Sequence, residues 1–234
     1  MIFIKNKFLM LIIVGLIFPL GGIGISSLSN THTFNSEPEV EGDFTISSKS
    51  DGLEYGVNFF IYFDALPKGL AIEYNGEIKA QPIITKIENN NSDSQGGKMA
   101  SLRVSHYFTL RKNILGLSIP FLAKASLYLG GGINQHNSVI PSIGLMKDIF
   151  SVDALGDIGN WNYGYDDDNS DFDFDDVVNG FKDHAVKTTG LHIQAGLQGK
   201  LLALNAFINA RYTFINSDKM ESFPGITIGL AYGI

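Results

Sequence analysis

Strict alternation of apolar and polar residues over long stretches is the feature that most constrains this chain. In its last segment Ile226, Ile228, Leu230, Tyr232 and Ile234 fall in one phase, with Gly225, Thr227, Gly229, Ala231 and Gly233 in the other. A period of two describes a strand; a helix would return its apolar residues at i, i+3 and i+4. Seven more segments read the same way: 42–49, 53–63, 69–80, 98–110, 114–134, 187–198 and 202–214. Within 114–134, Pro120 sits out of the apolar phase and reads as a bulge. The weakest is 42–49, where Phe44 and Ile46 oppose Asp43, Thr45 and Ser47.

Most of these segments are longer than the globular average of about 5–6 residues and match the roughly 9–11 needed to cross a bilayer at a tilt. The face opposite the apolar one carries Glu54, Glu73, Glu77, Arg103, Lys124, His192 and Arg211. In a closed eight-stranded barrel that face points into a narrow lumen, where unpaired charge is costly, so these residues are expected to form a lumen charge network. The connections give an independent indication. Gaps near 64–68, 111–113 and 199–200 are short, whereas 81–97, 135–186 and 215–222 are mostly longer and polar. That alternation is the asymmetry of a membrane barrel, with tight turns at one end and long loops at the other.

Composition excludes several classes. Hydrophobic residues make up 44% and charged ones 18%, which removes bulk disorder. A net charge of −7 removes a strongly basic nucleic-acid binder. With no cysteine there is no disulfide framework or thiolate metal site. Residues 1–27 read as a signal peptide: Lys5 and Lys7 precede the apolar run Phe8–Phe18, and Pro19 with Gly21, Gly22 and Gly24 ends it. The competing reading is a retained anchor. Residues 28–41 read as a flexible lead-in and 42–234 as the barrel.

The segments LYLGGGI (127–133), LNAFINARYTF (204–214) and ITIGLAYGI (226–234) resemble, in that order, the small eight-stranded outer-membrane barrels of the OmpA/OmpX-like superfamily. The resemblance covers roughly 42–234. It implies an all-β, antiparallel, up-and-down transmembrane barrel in the cell outer membrane of a diderm bacterium, with outer-membrane lipid and the barrel-assembly machinery as partners. Barrels of this kind usually end in an aromatic residue; here Ile234 keeps the phase but is aliphatic.

The connection 135–186 holds eleven Asp against Lys147 and Lys182. Loops of this length are usually functional or disordered, so this one is a candidate surface-ligand segment. Its densest part offers Asp166, Asp168, Asp171, Asp173 and Asp175 as oxygen ligands for Ca²⁺, although the spacing fails the EF-hand pattern; the competing reading is a solvated acidic loop. No other cofactor is indicated. His136 and Ser138 have the His-x-Ser spacing of lipid A-modifying deacylases, which the resemblance brings to mind, but Phe150 stands where the acidic partner is expected; Asp148 or Asp153 would have to substitute. His106 falls on the apolar face, as a lipid-headgroup contact or an interface residue. Gly130–Gly132 follow a strand without a helix, which fits close packing better than a phosphate loop.

The expected function is therefore a non-enzymatic outer-membrane barrel with a structural, adhesive or surface-binding role. Three alternatives stand beside it: a narrow transport pore, a lipid A-modifying acyl hydrolase, and a soluble lipocalin-like carrier with its apolar face inward. Period two fixes two faces but not which one meets solvent.

Overall fold

The computed structural model describes residues 21–33, 36–41, 44–64, 66–89, 92–119, 122–140, 142, 145, 182–217 and 220–233. Among the described residues, ten strands carry nearly all of the regular structure: β1 (Gly21–Asn30), β2 (Glu39–Glu41), β3 (Phe44–Ser50), β4 (Glu54–Phe63), β5 (Leu70–Asn89), β6 (Ser92–Ile119), β7 (Ala123–Val139), β8 (Val186–Leu201), β9 (Leu204–Ile215) and β10 (Phe223–Gly233).

Eight of them close on themselves. Every neighbouring pair is antiparallel: β1 lies between β4 and β10, β4 joins β5, β5 joins β6, and the ladder continues through β7, β8 and β9 back to β10. Closure with tilted strands needs a stagger. Partners traced from Glu54 through Asn30, Gly225, Arg211, Gln194, Gly130 and Arg111 return at Ala71, beside the far end of β4. That circuit is an offset of about ten residues, within the range eight tilted strands require.

Eight strands were expected and eight form the wall, but one member differs. The first wall strand is β1, so residues 21–27, read as leader, are structural, as are 28–30 of the supposed lead-in. Alternation is present here too, with Ile23 and Ile25 outward and Ser26 and Asn30 buried, but glycines and serines mute it and it continues straight from the apolar run. The glycines are required. A Cβ on Gly24 would lie 2.4 Å from the Leu230 carbonyl oxygen and 2.5 Å from the Phe60 ring. Residues 1–20, the rest of the segment read as leader, lie outside the described residues.

The described part of segment 42–49 is instead β3, from Phe44, which stands beyond the wall. β5 pairs with β4 up to Ala80 and with β3 from Ile83 onward. The switch falls at Pro82, whose carbonyl accepts the Asp51 N–H at 2.8 Å, and at Gly52, whose φ of +111° makes the bend a glycine position. Segment 81–97, expected as a loop, is mostly strand: β5 and β6 stay paired as far as Asn89 and Ser92. With β2 and β3 they form an extension above one side of the barrel.

Two turns also move. Residues 111–113, read as a turn, continue β6; the chain reverses between Ile119 and Leu122, where the Leu122 N–H meets the Ile119 carbonyl at 3.1 Å. Pro120 itself lies outside the described residues, and the irregularity in this region falls instead between Asn113 and Leu115. The short connections are thus 64–69, 120–122 and 202–203, all at the end where β1 begins and β10 finishes.

The faces are now assigned. Ile25, Val57, Ile78, Leu129, Ile193, Leu197, Ile208 and Leu230 are exposed around the outside, whereas Glu73, Glu77, Arg103, Arg111, Gln194 and Arg211 are buried inside. Phe63 and Tyr232 lie near the short-turn end and Tyr55, Tyr212 and Phe214 towards the other, which places outward aromatics at both rims. This is a transmembrane barrel, with its hydrophobic surface turned to lipid. The lipocalin-like alternative fails, because it needs the opposite assignment.

Candidate functional site

The chemistry-bearing residues gather in the lumen because the inward phase of eight strands converges there. Three ion pairs lie in it. Arg111 Nη1 donates to Glu73 Oε2 at 2.8 Å, Arg211 Nη1 to Glu77 Oε1 at 2.6 Å, and Arg103 Nη2 to Glu54 Oε2. Lys79 Nζ reaches the second Glu77 oxygen at 2.5 Å. Amides complete the carboxylates: Asn30 Nδ2 donates to Glu54 at 2.9 Å, and Asn75 Nδ2 and Gln194 Nε2 donate to Glu73 at 2.9 and 3.2 Å. Ion pairs this deep hold only with such support, since desolvation of two charges offsets much of their attraction.

Five of the seven charged residues expected in the lumen, Glu54, Glu73, Glu77, Arg103 and Arg211, meet in these pairs. His192 also faces inward, its Nε2 2.8 Å from Thr109 Oγ1. Lys124 sits apart, near the short-turn end, directly opposite Lys200 in the β7–β8 ladder. Two pairing residues were not anticipated. Arg111 was taken as a turn residue, although it continues the inward phase of Arg103, Ser105, Tyr107 and Thr109. Lys79 lay on the charged face but outside the expected network.

Below the ion pairs, towards the short-turn end, Phe60, Tyr62, Tyr128, Phe207 and Ala231 form a buried cluster. The Arg111 guanidinium lies over Tyr62 and Tyr128 at 4.9 and 4.8 Å. Cation–π contact and aromatic packing thus join the guanidinium to side chains that occupy the lower lumen. At its edge Asp64, just after β4, has its carboxyl pKa raised by burial, with Arg111, Lys200 and Lys124 pulling the other way.

The upper mouth is covered by His32, from the segment after β1. Its ring meets Phe223 edge-on at 5.3 Å, and its backbone carbonyl accepts from Gln81 Nε2 at 2.6 Å. Burial and the nearby Arg103 guanidinium lower its pKa from 6.5 to about 4.

His136 and Ser138 do not form the expected dyad. Both face the lumen from β7, which runs on to Val139 and so takes 135–139 out of the long connection. His136 Nδ1 lies 2.8 Å from Ser105 Oγ and Nε2 lies 2.9 Å from Asn134 Oδ1, so both ring nitrogens are engaged. A hydrolase acting on lipid would need this pair turned outward. His106 does face outward, and its Nδ1 meets the Tyr74 hydroxyl at 2.9 Å, so two polar groups on the lipid side satisfy each other. Gly130 leaves room for close packing, since a Cβ there would lie 3.0 Å from both Arg111 and Thr109 side chains. Asp166, Asp168, Asp171, Asp173 and Asp175, with Asp148 and Asp153, lie outside the described residues, as does Ile234. No group of three metal-capable His, Asp or Glu side chains occurs among the described residues.

No family model and no curated relative matches the chain. Among solved structures it is similar to Ail, the attachment invasion locus protein of Yersinia pestis, in complex with the heparin analogue sucrose octasulfate. Identity is 11% and the TM-score 0.43, over 92% of this chain and 97% of that one. The N-terminal β-barrel domain of Pseudomonas aeruginosa OprF follows at 11% and 0.37, over 90% and 99%. Neisserial surface protein A gives 9% and 0.34, over 91% and 97%. Likeness at this distance carries no argument about activity. On its own strand pairings, face assignment and turn asymmetry, the chain resembles the small eight-stranded outer-membrane barrels.

Proposed function

We propose that this chain is a non-enzymatic outer-membrane barrel that acts as a rigid, sealed anchor for a surface-interaction platform. One observation carries the reading: the outward face is an apolar belt, while the lumen is filled by cross-linked ion pairs above an aromatic layer. A wall closed this way is built for permanence rather than passage. The recognition surface is then the long-connection end, where β2, β3 and the upper halves of β5 and β6 rise beyond the barrel. The acidic connection is assigned to the same end, as a contact for a surface ligand, with Ca²⁺ on its Asp cluster as the accompanying proposal. Outer-membrane lipid and the barrel-assembly machinery are the partners the belt and closed wall call for.

The test combines gel mobility and conductance. Folded protein in the outer-membrane fraction should migrate faster unboiled than boiled and show no stable open level in a planar bilayer. A sustained ohmic level would replace the anchor reading with the pore. A soluble product without a mobility shift would remove the membrane assignment.

A further inference from the structure

The charges in the upper lumen do not balance. Three cations, Lys79, Arg103 and Arg211, share two carboxylates, Glu54 and Glu77. All five side chains are at most 6% exposed. Lower down, Arg111 and Glu73 match one to one, so among the described lumen residues the surplus positive charge belongs to the upper group.

The three cations surround one small region. Lys79 Nζ lies 5.4 Å from the Tyr107 ring centre and 5.7 Å from that of Phe223. Arg211 sits over the same Tyr107 ring at 3.9 Å, and Arg103 over the same Phe223 ring at 4.3 Å. Their donors are underused. Arg103 Nε and Arg211 Nη2 are buried without an acceptor, and Arg103 Nη1 meets only the Met220 thioether sulfur, a weak acceptor, at 3.5 Å. Lys79 has three N–H donors and one ionic contact. Asn134 Nδ2, Ser138 Oγ and His32 Nε2 add buried, unmatched positions in the same half.

A net charge out of water is expensive unless a counter-charge or hydrogen bonds offset it. Aromatic faces attract cations but carry no compensating charge. We propose that the upper lumen binds one small monovalent anion of the halide class beside Lys79, Arg103 and Arg211. The anion completes the charge count and accepts the unused N–H groups. It is a structural co-ligand, buried with the network, not a permeating ion. This goes beyond the sealed-anchor reading but rests on the lumen being closed.

The test uses the full chain refolded into lipid vesicles, with the unboiled mobility shift confirming closure in each sample. Thermal midpoints are compared in sodium chloride and sodium gluconate at equal ionic strength. A ligand held only by the folded state raises the midpoint, so chloride should give the higher value, rising to saturation. In Lys79→Met the salt difference should disappear. Because that variant leaves Glu77 one partner short and need not close, a second measurement uses wild type alone. The chloride-35 resonance should broaden on adding folded protein and sharpen again when bromide competes. Equal midpoints together with an unbroadened resonance in closed wild type would overturn the site; so would a chloride effect that survives in closed Lys79→Met. Absence of the mobility shift in wild type would count against the barrel reading instead.

Discussion

Arg111 and Glu73 meet at 2.8 Å from adjacent strands, two residues apart in register, with the guanidinium over Tyr62 and Tyr128. The pair joins the ionic layer to the aromatic one. Removing one member strands the other in a dry site, at a cost of about 3–5 kcal/mol. Arg111→Ala should therefore lower the temperature at which the unboiled, fast-migrating form is lost. Arg111→Met with Glu73→Leu should recover much of the loss, since apolar replacement of both partners avoids the stranded charge. A double variant no better than Arg111→Ala would show that the pair adds more than mutual neutralisation.

Removal of Gly21–Ser27 should abolish the closed form altogether. These residues make up most of β1, which among the described residues lies between β4 and β10 and pairs with both from Gly22 to Asn30. Any N-terminal cleavage compatible with the closed form is therefore expected to leave most of this strand in place. Mass measurement of the mature protein would settle the point: a product starting at Leu28 that still shows the mobility shift would contradict the role of β1.

The cover over the upper mouth should loosen in acid. His32 titrates near 6.5 when free and near 4 when seated. Between those values the released state binds the extra proton, so the seated state is most favoured above pH 6.5 and loses that advantage as pH falls towards 4. The ceiling on the effect is ~3 kcal/mol. Exchange of the Thr31 amide, which donates to the Pro224 carbonyl at 3.2 Å, should accelerate over this window. His32→Phe should remove the acceleration, because it retains the ring against Phe223 and cannot take up a proton.

The lipid-facing assignment has a direct test. Ile208 is outward and its neighbour Asn209 inward. Arg at a lipid-facing position near the bilayer centre costs about 2–4 kcal/mol. Ile208→Arg should reduce folding yield in thick bilayers, and thinner ones should relieve the defect. Equal yields across thicknesses would place Ile208 outside the membrane.

Much of this architecture was visible as alternation, because lipid outside and a packed lumen inside enforce period two on both faces. The ion pairs followed from charge placed in the inward phase, as with Glu54, Glu77, Arg103 and Arg211. What stayed hidden has physical causes. β1 alternates through Gly and Ser, whose small side chains accommodate Phe60 and Tyr62, so its contrast is low. The upper part of β5 and β6 is polar on one face because it stands clear of the lipid, and polar Asn, Ser and Gly runs look like a loop. Arg111 was missed because a run of three polar residues, Arg111 to Asn113, imitates a turn while the register continues.

The neighbour relation between β1 and β10 also sets an order of events in assembly. The first wall strand to leave the ribosome is bonded along its length to the last, from Gly22 opposite Gly233 to Asn30 opposite Gly225. Until β10 arrives, one whole side of β1 is a row of unmet amides and carbonyls, an edge open to any passing strand. A chain that stops short of β10 leaves that seam open, and only the final segment zips it shut.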